Sequence, residues 1–343
     1  MRFFLLLLLF LTSGCSQSFK GFMDDIDILR RPSPSELQVT FLGTSSFLIT
    51  TPKSSVLIDG YISRESHNLW RRIEPSPYRI SNVLEEIGIA SRHLSSRENR
   101  RFEQNDRRQL DAIIPLHGHY DHAMDVGVIA GLTGATLYGD SSVRLILDRS
   151  KERFHWLPSL LSQDQFVPIM VSATKSQKIK IGDIKITLFD TPHSENLLSK
   201  SIEFFGDAKD WKFPARVANM KQGASMAAYV EVNNRAFLIF PTAGQLDGQV
   251  GNLKLTADTV FLGIGGLGWQ KKATIKKYIA ETVGISGAKT VYPIHWDDHQ
   301  KPLNESLKVP FFEALDRVFS NIKEVSPARV RPIKAMQAFN PFD

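Results

Sequence analysis

Between Leu116 and Asp125 the chain reads LHGHYDHAMD, placing His117, His119 and His122 with Asp121 and Asp125 in ten residues, directly after the apolar run AIIPL. Two further histidines stand in similar places, His193 after ITLFDTP and His295 after TVYPI, so five of the nine histidines follow segments that read as strands. Imidazoles this crowded would repel one another if protonated. A divalent metal ion instead favours neutral imidazoles and an ionised carboxylate together, which makes metal chemistry the reading of this set. Strand ends along one sheet edge can aim several side chains into one cleft while the sheets hold them rigid. Asp59, ending the run VLID, is a candidate to support the ligands from behind or to close its strand structurally.

The elements that must position these residues follow from periodicity. LQVTF, SFLIT and SVLID alternate and are separated by Gly, Pro and Ser, which predicts a three-stranded meander from Leu37 to Asp59. DAIIPL and ATLYG predict buried strands, with a short helix over DHAMDVGVIAGL between them, and a more irregular stretch is expected around FHWLPSLL. KIKIGDIKITLF and AAYVEVNNRAFLIF predict hairpins turning at Gly182-Asp183 and Asn233-Asn234. DTVFLGI, a helix over KKATIKKYIAETV and the strand KTVYPIH close the body. Residues 61–110 differ in kind: they hold ten arginines, no lysine and seven acidic residues, with a helical pattern around SNVLEEIGIA. That segment is expected to be an insertion lying over the cleft mouth, where Arg100 and Arg101 would attract anionic substrates.

HGHYDH matches the H-x-H-x-D-H signature of the metallo-β-lactamase superfamily. The chain resembles that family through FLGTSSFLI, VLIDG, HGHYDH, DTPH, DTVFLGIGG and PIHWDD, in the family's order from Leu37 to Leu315. It resembles the extracytoplasmic or lipoprotein branches, close to the group containing N-acylphosphatidylethanolamine phospholipase D and other broad hydrolases. The resemblance implies a single-domain α/β fold, a four-layer αββα sandwich with metals at one edge. It also implies that His117, His119 and His193 ligate a first ion and Asp121, His122 and His295 a second. Zinc is favoured by the histidine-rich ligands, with manganese or iron as alternatives. Bridged by two such ions, a water would act as hydroxide nucleophile, and Asp121 would orient it and pass a proton to the leaving group. One departure concerns the aspartate that bridges the metals in the family: here the corresponding turn is PTAG, with Thr242 in its place. A neutral hydroxyl does not supply that charge, so one ion is expected to be tight and the second weaker. Asp247, Asp297 and Asp298 are substitute candidates. GIGGLG, Gly263 to Gly268, fits the G-x-G-x-x-G pattern of dinucleotide sites, but no acidic residue ends the next strand to hold a ribose. The glycines are expected instead to let backbone pass close to the metal cleft.

Residues 1–14, MRFFLLLLLFLTSG, carry one basic residue and an apolar run too short to span a bilayer, which predicts a signal peptide. The only cysteine, Cys15, follows in LTSGC, which resembles a bacterial lipobox. The expected organisation is a signal peptide over 1–14, a lipidated N-terminus and tether over 15–36, and one domain over 37–343. Such a protein is an extracytoplasmic, membrane-anchored lipoprotein of the cell envelope; Ser16 after the cysteine favours the outer membrane of a Gram-negative cell. Loss of Arg2 with residues 1–14 lowers the formal charge from +6 to +5, and no Lys/Arg block accompanies it, which argues against a nucleic-acid partner. With one thiol, no intramolecular disulfide forms. A small-molecule or lipid substrate is expected, of phosphodiester, phospholipid or other ester type. A lactone or β-lactam would use the same hydroxide. A non-catalytic metal- or ligand-binding lipoprotein on a degenerate hydrolase fold is the reading that PTAG favours.

Overall fold

The computed structural model describes residues 30–65, 71–92, 107–194, 210–303, 307–310 and 314–343. The predicted signal peptide, Cys15, most of the tether, Arg100 and Arg101 lie outside the described residues. No helix among those described is long and apolar enough to cross a membrane.

Two seven-stranded sheets form the body. The first contains β1 (Gln38–Phe41), β2 (Phe47–Thr50), β3 (Ser55–Ile58), β5 (Ala112–Ile114), β6 (Thr136–Gly139), β7 (Phe166–Pro168) and β16 (Ala338–Phe339). Its order is β16-β1-β2-β3-β5-β6-β7, an antiparallel meander continued by parallel strands from β3 onward. The second contains β8 (Gln177–Ile181), β9 (Ile184–Asp190), β11 (Met226–Val232), β12 (Arg235–Phe240), β13 (Thr259–Gly263), β14 (Thr290–Ile294) and β15 (Arg329–Val330). Here the order is β15-β14-β13-β12-β11-β9-β8, antiparallel through β8, β9, β11 and β12 and parallel from β12 to β15. A two-stranded ribbon of β4 (Arg72–Ile73) and β10 (Ala215–Arg216) stands apart from both sheets.

Side-chain alternation sorts each strand between two cores. On β2, Phe47 and Ile49 face the second sheet and Leu48 faces away; on β12, Phe237 and Ile239 face the first sheet while Leu238 and Phe240 face away. Both faces are therefore buried, which is why these strands read as nearly unbroken apolar runs. Phe261 of β13 sits across the gap from Phe47, ring centroids 4.6 Å apart, and stacks on Tyr292 of β14 at 5.3 Å. The outer face of the first sheet is covered by α1 (Pro77–Glu86), α3 (Val126–Thr133) and α4 (Ser141–Arg153); the short α5 (Gln249–Asn252), α6 (Lys272–Ile279) and α7 (Leu315–Val325) cover the second. The result is the αββα sandwich that the family resemblance implies.

The predicted strands and both hairpins form as read, with Asn233 and Asn234 at φ 51° and 63° in the second turn, the left-handed pair such a turn demands. Three differences stand out. The helix expected around Ser81–Ala90 begins earlier, at Pro77, whose fixed φ suits a first turn, and it stops before Gly88 at φ +75°. DHAMDVGVIAGL makes two helices, α2 (Tyr120–Ala123) and α3, separated at Met124–Asp125. SSVRLILDRSKER, given no element by the pattern, is the thirteen-residue α4, capped by Asp140, whose carboxylate accepts from the Val143 amide at 3.0 Å, with Lys151 and Arg153 in its last turn.

Phe261 is fully buried between the sheets. Phe261→Ala should therefore cost about 3–5 kcal/mol in chemical denaturation, read as a lower midpoint at unchanged slope.

Candidate metal centre

All the candidate ligands follow the carboxyl ends of strands at one edge of the sandwich: β5 leads to residues 117–122, β9 to His193 and β14 to His295. Ligating atoms of His117, His119 and His193 converge in one group and those of Asp121, His122 and His295 in a second, each within 4.8 Å of one another. The six residues named from the sequence are thus brought together in the two predicted sets.

In the first group the His119 and His193 rings lie 4.6 Å apart and the His117 and His193 rings 5.0 Å apart. His193 Nδ1 lies 2.9 Å from the Ser194 carbonyl, which can only accept, so the proton sits on Nδ1 and Nε2 keeps its lone pair. Burial, with His119 alongside, pushes the His193 imidazole down to about 3. Burial and the neighbouring imidazoles of His122, His119 and His193 hold His117 well below the usual histidine range. His117 is fully buried, and neither of its ring nitrogens has a hydrogen-bond partner among the described residues. An unsatisfied buried group of this kind costs about 1–3 kcal/mol. A metal ion ligated at one of these nitrogens offsets that cost, so the residues present fit a bound metal.

In the second group His122 Nε2 and His295 Nε2 face each other at 3.3 Å, and Asp121 Oδ2 lies 3.7 Å and 3.4 Å from them. Burial opposes the Asp121 charge, but His122 and His295 overcome it and hold the carboxyl well below its usual range. The same carboxylate raises His295 against the opposing effect of burial. Asp59 proves to be a supporting residue. Its Oδ2 lies 2.8 Å from His122 Nδ1 and accepts from Ser45 Oγ at 2.5 Å, and its Oδ1 accepts from the Leu116 amide at 2.7 Å. The Asp59 contact keeps a proton on His122 Nδ1 and turns Nε2 toward the group.

Thr242 is buried, and its Oγ1 accepts from the Ser194 amide at 3.1 Å and donates to Ser194 Oγ at 3.0 Å. It therefore holds the residue that orients His193. Of the substitute acids, none joins either group. Asp247 is exposed on its loop, Asp297 is paired with Arg64 at 2.6 Å, and Asp298 accepts from the Gln300 amide. Within GIGGLG, a Cβ on Gly265 would lie 2.6 Å from His295 Nδ1, so only glycine lets the turn after β13 pass the ligand this closely. Sequence reading missed Ser45 and His299. His299 Nε2 meets the Tyr120 hydroxyl at 2.7 Å, and burial pushes its imidazole down to about 4. Its position four residues after His295 was the available signal.

The model of the beta-lactamase superfamily domain matches residues 81–296, and the chain belongs to the metallo-β-lactamase superfamily. Solved structures similar to it include the metallo-β-lactamase fold protein YhfI from Bacillus subtilis, at 14% identity and TM-score 0.48, covering 89% of this chain and 100% of that one. Igni18, a metallo hydrolase from the hyperthermophilic archaeon Ignicoccus hospitalis, matches at 15% identity and TM-score 0.49, covering 89% and 98%. The short form of human tRNase Z matches at 12% and 0.48, covering 89% and 99%. No curated protein matches the chain.

Asp59→Ala should leave His122 Nδ1 held by Ser45 Oγ alone, at 2.8 Å, without touching a ligand. Metal affinity at the second group should fall by about 10–100-fold in a zinc titration, with the first equivalent little changed.

Proposed function

We propose that this chain is a metal-dependent hydrolase acting on an ester, most specifically a phosphodiester or phospholipid-type ester, at the cleft edge where the two ligand groups meet. The observation that carries the reading is the pair of adjacent ligating triads, one of three imidazoles and one of two imidazoles and a carboxylate. Zinc suits them best by ligand chemistry, with manganese or iron as alternatives. Bound there, metal ions would supply the Lewis acidity that makes water a nucleophile at neutral pH and polarises the substrate oxygen. The chain's own residues do the rest. His117, His119 and His193 offer neutral nitrogens and leave a further position open to solvent or substrate. The Asp121 carboxylate orients the attacking water, takes its proton and returns it to the leaving-group oxygen. Asp59 and Ser194 keep His122 and His193 in the tautomers that ligate.

The phospholipid-type substrate follows from the resemblance to the branch near N-acylphosphatidylethanolamine phospholipase D and from the anchor proposed at Cys15. Removal of residues 1–14, lipidation at Cys15 and a tether over 15–36 would hold the domain over 37–343 at the envelope membrane, outside the cytoplasm. The substrate is then a small molecule or lipid. A second reading, a metal- or ligand-binding lipoprotein without activity, is favoured by Thr242, which brings no charge to the metal edge.

Elemental analysis of the full chain after dialysis against a weak chelator should find one retained metal, with a second equivalent taken up on addition. Bis(p-nitrophenyl) phosphate should be hydrolysed in preference to a lactone and a β-lactam, lost on chelation and restored by zinc. Absence of both retained metal and hydrolysis would favour the binding protein. Thr242→Asp keeps an acceptor for the Ser194 amide and adds a charge, so occupancy of the second group should rise. Cys15→Ala should move the protein from the membrane to the soluble fraction or block its maturation; an unchanged membrane fraction and mass would reject the anchor.

A further inference from the structure

Besides Asp59 at φ 52°, three residues other than glycine that bear on the second ligand group adopt left-handed backbone: Thr44 at φ 53°, Arg64 at 46° and His295 at 59°. Each such residue stores strain of about 1–3 kcal/mol and persists only where its surroundings over-determine it. What over-determines them is a single buried network. The Arg64 and Asp297 side chains are fully buried, and Arg64 Nη2 donates to Asp297 Oδ2 at 2.6 Å and to the Asp298 carbonyl at 2.8 Å. Arg64 Nε donates to the Lys301 carbonyl at 2.7 Å. The other carboxylate oxygen of Asp297 accepts from the Thr44 amide at 2.9 Å, and the Thr44 carbonyl accepts from the amide of His295 itself at 2.7 Å.

The other end of the network reaches the HGHYDH segment. Asp125, fully buried just beyond it, accepts from the Ile62 and Ser63 amides at 2.8 and 2.6 Å and from Ser63 Oγ at 2.7 Å. Those contacts fix the backbone from which Arg64 projects. The chain of contacts thus starts beside Asp121 and His122, runs through residues 62–64 and ends on the His295 amide. Gly43, at φ +81°, is part of the fit: a Cβ there would lie 1.8 Å from Arg64 Nη1. Asp297, a substitute ligand by sequence, is thereby committed elsewhere.

We propose that the Arg64–Asp297 pair, acting through Thr44, is a positioning device that presets His295 against Asp121 and His122 for a second metal ion. It rests on the two-ion reading above and goes further by naming what aligns the second group where no bridging carboxylate does so. In the family pattern the bridge ties the two ions to a strand end; here Thr242 supplies no charge, and the alignment comes from behind the ligands instead. None of Arg64, Asp297 and Thr44 is in the ligand groups, so removal of the pair acts on the second group from behind its ligands.

Zinc titration of the metal-stripped full chain by calorimetry, with cobalt(II) absorption spectra as a second reading of coordination geometry, tests this. Asp297→Asn keeps an acceptor for the Thr44 amide and removes the charge that fixes Arg64. If that variant does not fold, the double variant Arg64→Met, Asp297→Leu replaces the pair by apolar groups of similar size, an exchange buried ion pairs commonly tolerate. The expected result is a first equivalent bound as in the unmodified chain and a second bound about tenfold or more weaker, with an altered cobalt spectrum for that equivalent only. Equal weakening of both equivalents, as general destabilisation would give, overturns the proposal, and so does an unchanged second equivalent. Failure of the unmodified chain to take up a second equivalent would instead remove the two-ion reading on which the proposal rests.

Discussion

Two imidazole nitrogens 3.3 Å apart, with a carboxylate oxygen 3.4–3.7 Å from both, form an arrangement that a single bound cation would satisfy at once. The rest of the structure can be understood as the means of imposing it. The ligand-bearing strands, β5 of the first sheet and β9 and β14 of the second, end at the same edge, so the ligands are carried directly on rigid elements. Behind them, two of the imidazoles have their protons placed away from the ligating nitrogen: Asp59 claims the one on His122 and the Ser194 carbonyl the one on His193. Burial of His117 and His193 adds to this by disfavouring their charged forms.

The two ligand groups are not equivalent. The first is neutral and uses three imidazoles, whereas the second carries the Asp121 charge and depends on a residue in strained backbone. Thr242 lies on the side of the first group, tied to Ser194, so the turn that carries no charge still contributes order there. Ligand count alone would make the groups look alike; their supports make the first more nearly self-sufficient.

Much of this was legible in the sequence because it is local. HGHYDH fixes four ligands within six residues, and strands buried on both faces show as apolar runs whatever their partners. His193 and His295 were legible because each directly follows such a run. The supports were not legible, because they join loops far apart in the chain: Arg64 with Asp297 across 233 positions, and Tyr120 with His299 across 179. An aspartate two residues beyond a ligand looks the same in sequence whether it meets a metal or a guanidinium, which is why Asp297 read as a candidate ligand. Helix α4 escaped notice because its outward face is densely charged, while its cap and basic last turn were present to be read. The Arg-rich segment gave its helix near the expected place, and Arg79 from that helix holds the Ser63 and Arg64 carbonyls, a role in support of the site that its composition did not suggest.

The long span of that buried pair also orders events in time. A chain emerging N-terminus first has all three residues of its all-imidazole group out once His193 emerges. His295 follows 102 residues later, a delay of roughly 5–20 s at about 5–20 residues per second. Asp297 comes two residues after that, and β16, which closes the first sheet by pairing with β1, comes last of all. During that interval the all-imidazole group has its full set of ligands, whereas the second has Asp121 and His122 without His295. The second group is therefore closed only when the body is nearly complete, so an ion held there can stabilise the finished fold but not the strands that precede it.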